Sequence, residues 1–445
     1  MRNIVEKCFA VLMLIYLSSG LTGFLAGDSP FNVWRLEDNP LLLTIQTAMY
    51  AITLGLIALN WRKFMSGLRP SGWVLALALF ALVSTLWSSD PSFTLRRSLV
   101  MTATTMFGIY FGSRYELRAQ LRLLGLTFVI LAALSAACAL LLPRYGIDNQ
   151  LHRGDWQGIL GQKNLLGKAM AVGCIVWWSA KGVFPPTLRI AALLACAAVM
   201  LMSGSRAAVL VCGALLLIGY GYRALRARPT TLVPLAIIFL AACAGLAFLV
   251  KNSNFLRLAL LNPNATLTRR TEIWTAVWTA ISSHTWLGYG FSGFWAGLRG
   301  ESMRVAAILG FLPRHAHNGF LDLWLELGLA GVLLFAAGYL RAVGDALRLF
   351  RKNHERLASW PLQYLAFMLI YHVAEGPILR PNSLYWAVCV AVVVSTARAV
   401  RSGPGVTFAT HAGFRLDLEP EPNYLPRRTT GSVGDLHPET GRSAA

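Results

Sequence analysis

The run Arg314-His315-Ala316-His317-Asn318-Gly319-Phe320-Leu321-Asp322 closes a polar stretch, Lys251 to Gly331, that interrupts an otherwise apolar sequence. That stretch carries seven cationic residues, Lys251, Arg257, Arg269, Arg270, Arg299, Arg304 and Arg314. Clustered cations ask for an anion, and His315 and His317 beside them suit a general base or a phosphate ligand. The histidines stand just before an apolar run that Asn318 can cap. If that run is helical, Asn318, Asp322 and Glu326 fall four residues apart on one face.

Other candidates lie along the chain. Arg206, in Ser203-Gly204-Ser205-Arg206, sits inside an apolar stretch from Leu188 to Tyr220. A guanidinium at that depth costs several kcal/mol unless paired or wet, which marks it as functional; the alternative is snorkelling to the interface. Thr268-Arg269-Arg270-Thr271-Glu272-Ile273-Trp274 opens a helical pattern with Ile273, Val277 and Ile281 on one face. Arg269 and Arg270 in a first turn oppose the helix dipole, so they fit either an anion docked there or an interfacial helix on lipid phosphates. Gln162, Lys163 and Asn164 open another apolar run and serve as ligands or as a cap. The Gly and aromatic alternation from Trp286 to Trp295 suits sugar rings, a prenyl chain or a membrane-surface belt.

The elements that must position these residues are membrane helices. A chain of 445 residues with 56% hydrophobic and 13% charged residues is too apolar for a soluble domain. About 20 apolar residues cross a bilayer. On that measure there are about twelve segments, near 8–27, 41–59, 71–88, 98–112, 121–142, 164–180, 188–202, 206–222, 231–250, 318–340, 360–375 and 383–397. The expected fold is an all-α membrane protein of about twelve transmembrane helices with a large, partly helical outward loop at about 251–318. The first segment is expected to be a retained span and not a cleaved signal peptide. Lys and Arg fill alternate short loops, among them Arg62, Lys63, Arg114, Arg118, Arg122, Lys181, Arg189, Arg341 and Arg348. Such loops stay cytoplasmic, which puts both termini inside and the long loop outside. Outward cations then gather at Arg96 and Arg97, at Arg144, Arg153 and Lys163, at Arg206 and in the long loop, as if sharing one pocket.

Residues 401–445 have no apolar period and are expected to be a disordered cytoplasmic tail, leaving 1–400 as one membrane domain. The net charge of +20 speaks for topology and anionic lipid or phosphate, with no nucleic-acid module. All seven cysteines fall in apolar segments without metal-site spacing, so neither disulfide nor zinc is expected.

The chain resembles the O-antigen ligase and Wzy-type polymerase family of bacterial glycan assembly. The resemblance rests on Thr268 to Trp274, Leu287-Gly288-Tyr289-Gly290 and His315-Ala316-His317-Asn318-Gly319. Gly161-Gln162-Lys163-Asn164 and Ser89 to Ser98 are most similar to exopolysaccharide polymerases of the ExoQ kind. The family often has Gly where Arg269 stands, which makes Arg270 the better match to its arginine. The resemblance implies a metal-independent, cofactor-free glycosyltransferase on the periplasmic face of the inner membrane. Its donor would be an undecaprenyl-diphosphate-linked glycan, its acceptor a glycan or lipid-linked hydroxyl, and a chain-length regulator would be a partner. Arg206, Arg270 and His317 are then the catalytic candidates. Arg97, Gln162, Lys163, Asn164, Arg269, His315, Asn318 and Glu326 are the candidates for binding substrate.

Overall fold

The structure, a computed structural model, describes residues 2–19, 39–149, 153–227, 266–295, 301–311, 313–353 and 356–402. These are helical throughout, apart from connections and two isolated bridges, Ile147 with Trp156 and Lys181 with Phe184. In chain order the helices are α1 (Arg2–Leu17), α2 (Pro40–Leu59), α3 (Trp61–Leu68), α4 (Gly72–Val83), α5 (Pro91–Arg114), α6 (Leu117–Leu141), α7 (Lys163–Ser179), α8 (Pro186–Met202) and α9 (Arg206–Ala227). They continue with α10 (Thr266–Ser283), α11 (Ser302–Leu309), α12 (Gly319–Lys352), α13 (Trp360–Ala374) and α14 (Leu384–Arg401).

Apart from 231–250, which lies outside the described residues, each expected segment has a helix at its place; for 8–27 this extends only through Leu17. Four helices, α2, α6, α12 and α14, are long and apolar enough to cross a membrane, and the α3–α4 pair, bent by 88°, makes a fifth if taken as one span. The chain is a multi-pass helical membrane protein. Twelve full crossings are not reached among the described residues, because α1, α7 and α13 run only 16, 17 and 15 residues. Arg96 and Arg97 also enter the first turns of α5. Short helices are tolerated where their ends pack into protein and not lipid. The 401–445 tail beyond Ser402 and the loop from 251 to 265 lie outside the described residues.

In lipid there is no hydrophobic drive between helices, so close backbone approach does the work. Gly108 and Gly112 of α5 supply it. A Cβ on Gly108 would stand 2.7 Å from the Ala387 carbonyl oxygen of α14, and one on Gly112 would stand 2.6 Å from that of Ala391.

α12 is broken at Gly328, whose φ of 65° and ψ of −173° leave the helical region. The strip Thr285 to Tyr289 fills the break. Tyr289 N donates to Leu325 O at 2.9 Å, while Leu329 N and Ala330 N donate to Thr285 O and Trp286 O at 2.8 and 3.2 Å. The freed backbone groups are thereby satisfied, as a broken membrane helix requires. The strip is held from behind by the corner before α5. Trp87 Nε1 donates to Leu287 O at 3.0 Å, Ser89 N to Tyr289 O at 3.1 Å, and Phe291 N to Ser84 Oγ at 2.9 Å. Tyr289, Phe291, Phe294 and Trp295 are buried, so these aromatics are packing and not a sugar platform. Ile273, Val277 and Ile281 do share the buried face of α10 and complete a second, smaller core with Tyr289, Phe294 and Trp295.

Gly112→Leu should lower stability in detergent by about 1–3 kcal/mol or more, since overpacking a helix contact has no room to relax. A thermal melt should show it, and an unchanged melting temperature would refute the close-contact role.

Candidate active site

The local chemistry of the His-Ala-His arch explains its shape. Asp322, fully buried in the first turn of α12, accepts from Ala316 N and from Trp295 Nε1, both at 2.9 Å. Trp274 Nε1 of α10 donates to Ala316 O at 2.9 Å. Both peptide groups of Ala316 are thus pinned, and the two histidines project from it. His317 takes φ of +52°, a left-handed conformation that side chains with a Cβ rarely adopt. Its N–H donates to His315 Nδ1 at 3.0 Å, which leaves His315 with its proton on Nε2. Asn318 then caps α12, accepting from Phe320 N and Leu321 N at 3.0 and 3.2 Å.

The arch faces a cavity of about 440 Å³. Its walls come from the C-terminal ends of α1 and α13, the N-terminal ends of α7, α10 and α14, and the arch itself. All of these are ends that the Lys and Arg alternation places on one side. Of the sequence candidates, Arg270, His315, His317, Gln162 and Asn164 line it.

Sequence reasoning missed Glu375 and Arg380, from the α13–α14 connection, and Lys168 in α7. Arg270 Nη2 pairs with Glu375 Oε1 at 3.0 Å, and His317 Nδ1 stands 4.0 Å from Glu375 Oε2. A carboxylate that close would favour an imidazolium. Arg270 already claims it, however, and burial followed by the Arg270 charge pushes His317 down to about 4. The neutral imidazole is the form that follows from both the pairing and the burial. Burial, and then His317, Arg380, Arg270 and Arg314, holds His315 well below the usual histidine range. Both rings are therefore neutral near pH 7.

The remaining candidates lie around the rim or elsewhere. Lys163 Nζ pairs with Asp155 Oδ2 at 2.9 Å and does not line the cavity. Arg206 opens α9 with an exposed side chain, immediately after Ser205, whose hydroxyl donates to Asn164 Oδ1 at 3.1 Å. That contact joins its turn to the cavity wall. Arg97 lies over the Phe93 ring at 5.2 Å, near Glu326 and outside the cavity lining. Glu326 is buried there, away from the cavity lining. Arg269 is the fourth residue of α10, and its side chain falls outside the described residues. Among the described residues no group of three His, Cys, Asp or Glu side chains is set to hold a metal ion.

The arrangement offers cations for an anion, a neutral imidazole, and a cavity at the end of a membrane bundle. Residues 191–336 match the O-antigen ligase family. That O-antigen ligase region contains Arg206, Arg270 and both arch histidines. The chain is also 26% identical to the exopolysaccharide production protein ExoQ of Rhizobium meliloti over 350 residues, covering 75% of this chain and 79% of that protein. It is 25% identical to the O-antigen ligase of Pseudomonas aeruginosa over 321 residues, 69% of this chain and 72% of that one. The chain is thus similar, at modest identity, to proteins named for O-antigen ligation and for exopolysaccharide production.

Asp322→Ala should cost about 3–5 kcal/mol, since it leaves the buried donors of Ala316 and Trp295 without their carboxylate. Protease cutting near residues 311–317 should accelerate, and an unaltered cutting rate would disprove the clamp.

Proposed function

We propose that the protein transfers a glycan from an undecaprenyl-diphosphate carrier to an acceptor sugar hydroxyl, on the periplasmic face of the inner membrane, polymerising exopolysaccharide or O-antigen repeat units. The observation that carries this reading is the gathering of Arg270, Arg380 and the His315–His317 arch around one cavity at the end of the bundle. Outside the cytoplasm no nucleotide drives the reaction, so the energy resides in the sugar–diphosphate bond. The acceptor oxygen attacks the anomeric carbon while the bond from that carbon to the diphosphate oxygen breaks. The electron pair leaves with the polyprenyl diphosphate, the acceptor proton passes to His317, and the configuration inverts. Arg270 and Arg380 stabilise the charge growing on the leaving group, with Arg206 joining from the adjoining turn.

In the resting site Arg270 is held by Glu375. A diphosphate carries more charge than one carboxylate and competes for the guanidinium. Its negative charge next to the arch also raises the affinity of His317 for a proton, so the base strengthens when substrate is in place. Gln162 and Asn164 are placed to bind sugar hydroxyls, and the regulator of chain length would act from outside the cavity.

Ligation of a finished glycan to lipid A core is the second reading, favoured by the family description and by the name of the Pseudomonas relative. Purified protein given lipid-linked repeat alone should build a ladder if it polymerises. A strict need for a lipid A acceptor would decide for ligation.

Arg270→Ala and His317→Ala should each cut transfer by about 10²-fold or more while leaving the protein folded. Asn318→Ala should cost about 1 kcal/mol of stability, as a lost cap does. Equal transfer by wild type and both active-site variants would sink the site.

Activity should hold across neutral pH and fall as pH drops through about 4 in the unloaded enzyme, where His317 takes up its proton. The sign follows from its lowered affinity, because the base form is present above that value and lost below it. A pH profile of kcat/KM that broke near 6.5 would contradict a buried His317.

A further inference from the structure

Lys168 is the one side chain of the cavity whose charge the protein leaves without an acceptor among its described contacts. It is 8% exposed, and its Nζ lies 3.9 Å from the Tyr385 ring centroid, 4.3 Å from Tyr371 and 5.9 Å from Phe367. Aromatic faces attract an ammonium but accept none of its three protons as a strong hydrogen bond. A buried amine held among rings, with no close hydrogen-bonding acceptor among its described contacts, suits an anion that arrives. Its depth says which one. Lys168 is four residues past Asn164 along α7, which puts it about 6 Å further into the bundle, toward the depth of the hydrocarbon.

We propose that Lys168 binds the lipid-side phosphate of the diphosphate carrier, the phosphate that a polyprenyl monophosphate also carries. This rests on the transfer reading above and adds to it. Arg270 and Arg380 hold the phosphate next to the scissile bond; Lys168 holds the one beyond it. The Tyr371 hydroxyl, donating to Asn164 O at 3.5 Å, couples one wall of the cage to the mouth of the cavity.

The test uses the full chain in nanodiscs, titrated with polyprenyl diphosphate and polyprenyl monophosphate, with Lys168→Met, Lys168→Arg and Arg270→Ala. Wild type should prefer the diphosphate. Lys168→Met should weaken binding of both lipids by about 10- to 100-fold, the scale of one charge-assisted hydrogen bond, whereas Arg270→Ala should weaken the diphosphate and spare the monophosphate. Lys168→Arg should restore part of the loss. Ligand-free Lys168→Met should melt no lower than wild type, because methionine fills an aromatic cage without an unpaired charge. A marked fall in its melting temperature, or failure to fold, would identify Lys168 as a structural cation and overturn the proposal. So would unchanged affinity of Lys168→Met for the diphosphate, or a loss confined to the diphosphate. If Arg270→Ala loses binding while Lys168→Met does not, the transfer reading stands and this inference falls. If wild type binds neither lipid more tightly than a plain phosphatidylglycerol nanodisc, both fall.

Discussion

Asp322 accepting the Ala316 N–H is the contact on which the site depends. A carboxylate fully buried in the first turn of α12 is tolerable only with good donors, and it has two, one from the arch and one from the Trp295 indole. The favourable end of the helix dipole adds to them. With Ala316 fixed, the two neighbouring histidines have little freedom, and His317 stays in a backbone conformation it would not choose alone. The rigidity is useful in chemistry that has to align an acceptor oxygen, a sugar carbon and a base.

The electrostatics follow from the same rigidity. Cations from α7, from α10 and from the α13–α14 connection meet one carboxylate, Glu375, and two neutral imidazoles. The resting site is therefore cationic but not uncompensated, since Arg270 is paired. Repulsion among the cations is tolerated at the end of a bundle, where water reaches, and would not be at its midplane.

Much of the scaffold was legible because the bilayer imposes a length and lipid demands apolar residues, so hydropathy alone located the helices. Alternating Lys and Arg also told which helix ends belong together, and every cavity-lining end falls in that set. The arch was legible from His315, His317 and Asn318, and Asn318 turned out to be the cap. Less of the site could be read. Glu375 sits at the end of an apolar run and pairs with a residue 105 positions away, which no local pattern encodes. Lys168 does carry a signal in the sequence, because a lysine inside a span is functional by default, whereas Lys163 at the mouth of the same helix pairs with Asp155. Arg97 and Glu326 share the right chemistry but lie in a different place, away from the cavity lining. Shared sign and polarity cannot distinguish one pocket from two. In the Gly and aromatic alternation from 286 to 295, Tyr289, Phe291, Phe294 and Trp295 are buried while Trp286 stays exposed, and the backbone of its first residues fills a gap in another helix, at Gly328.

That gap has a consequence for assembly. The segment that plugs α12 is synthesised before α12, and the corner at Ser84 to Ser89 that cradles the plug is made earlier still. A nascent chain thus has the mould ready before the broken helix emerges, and α12 can only settle as two cylinders once it meets that mould. Joining the pieces in the opposite order, as in a circular permutant opened between residues 295 and 301, would ask a hydrophobic helix with open backbone groups to wait for its partner.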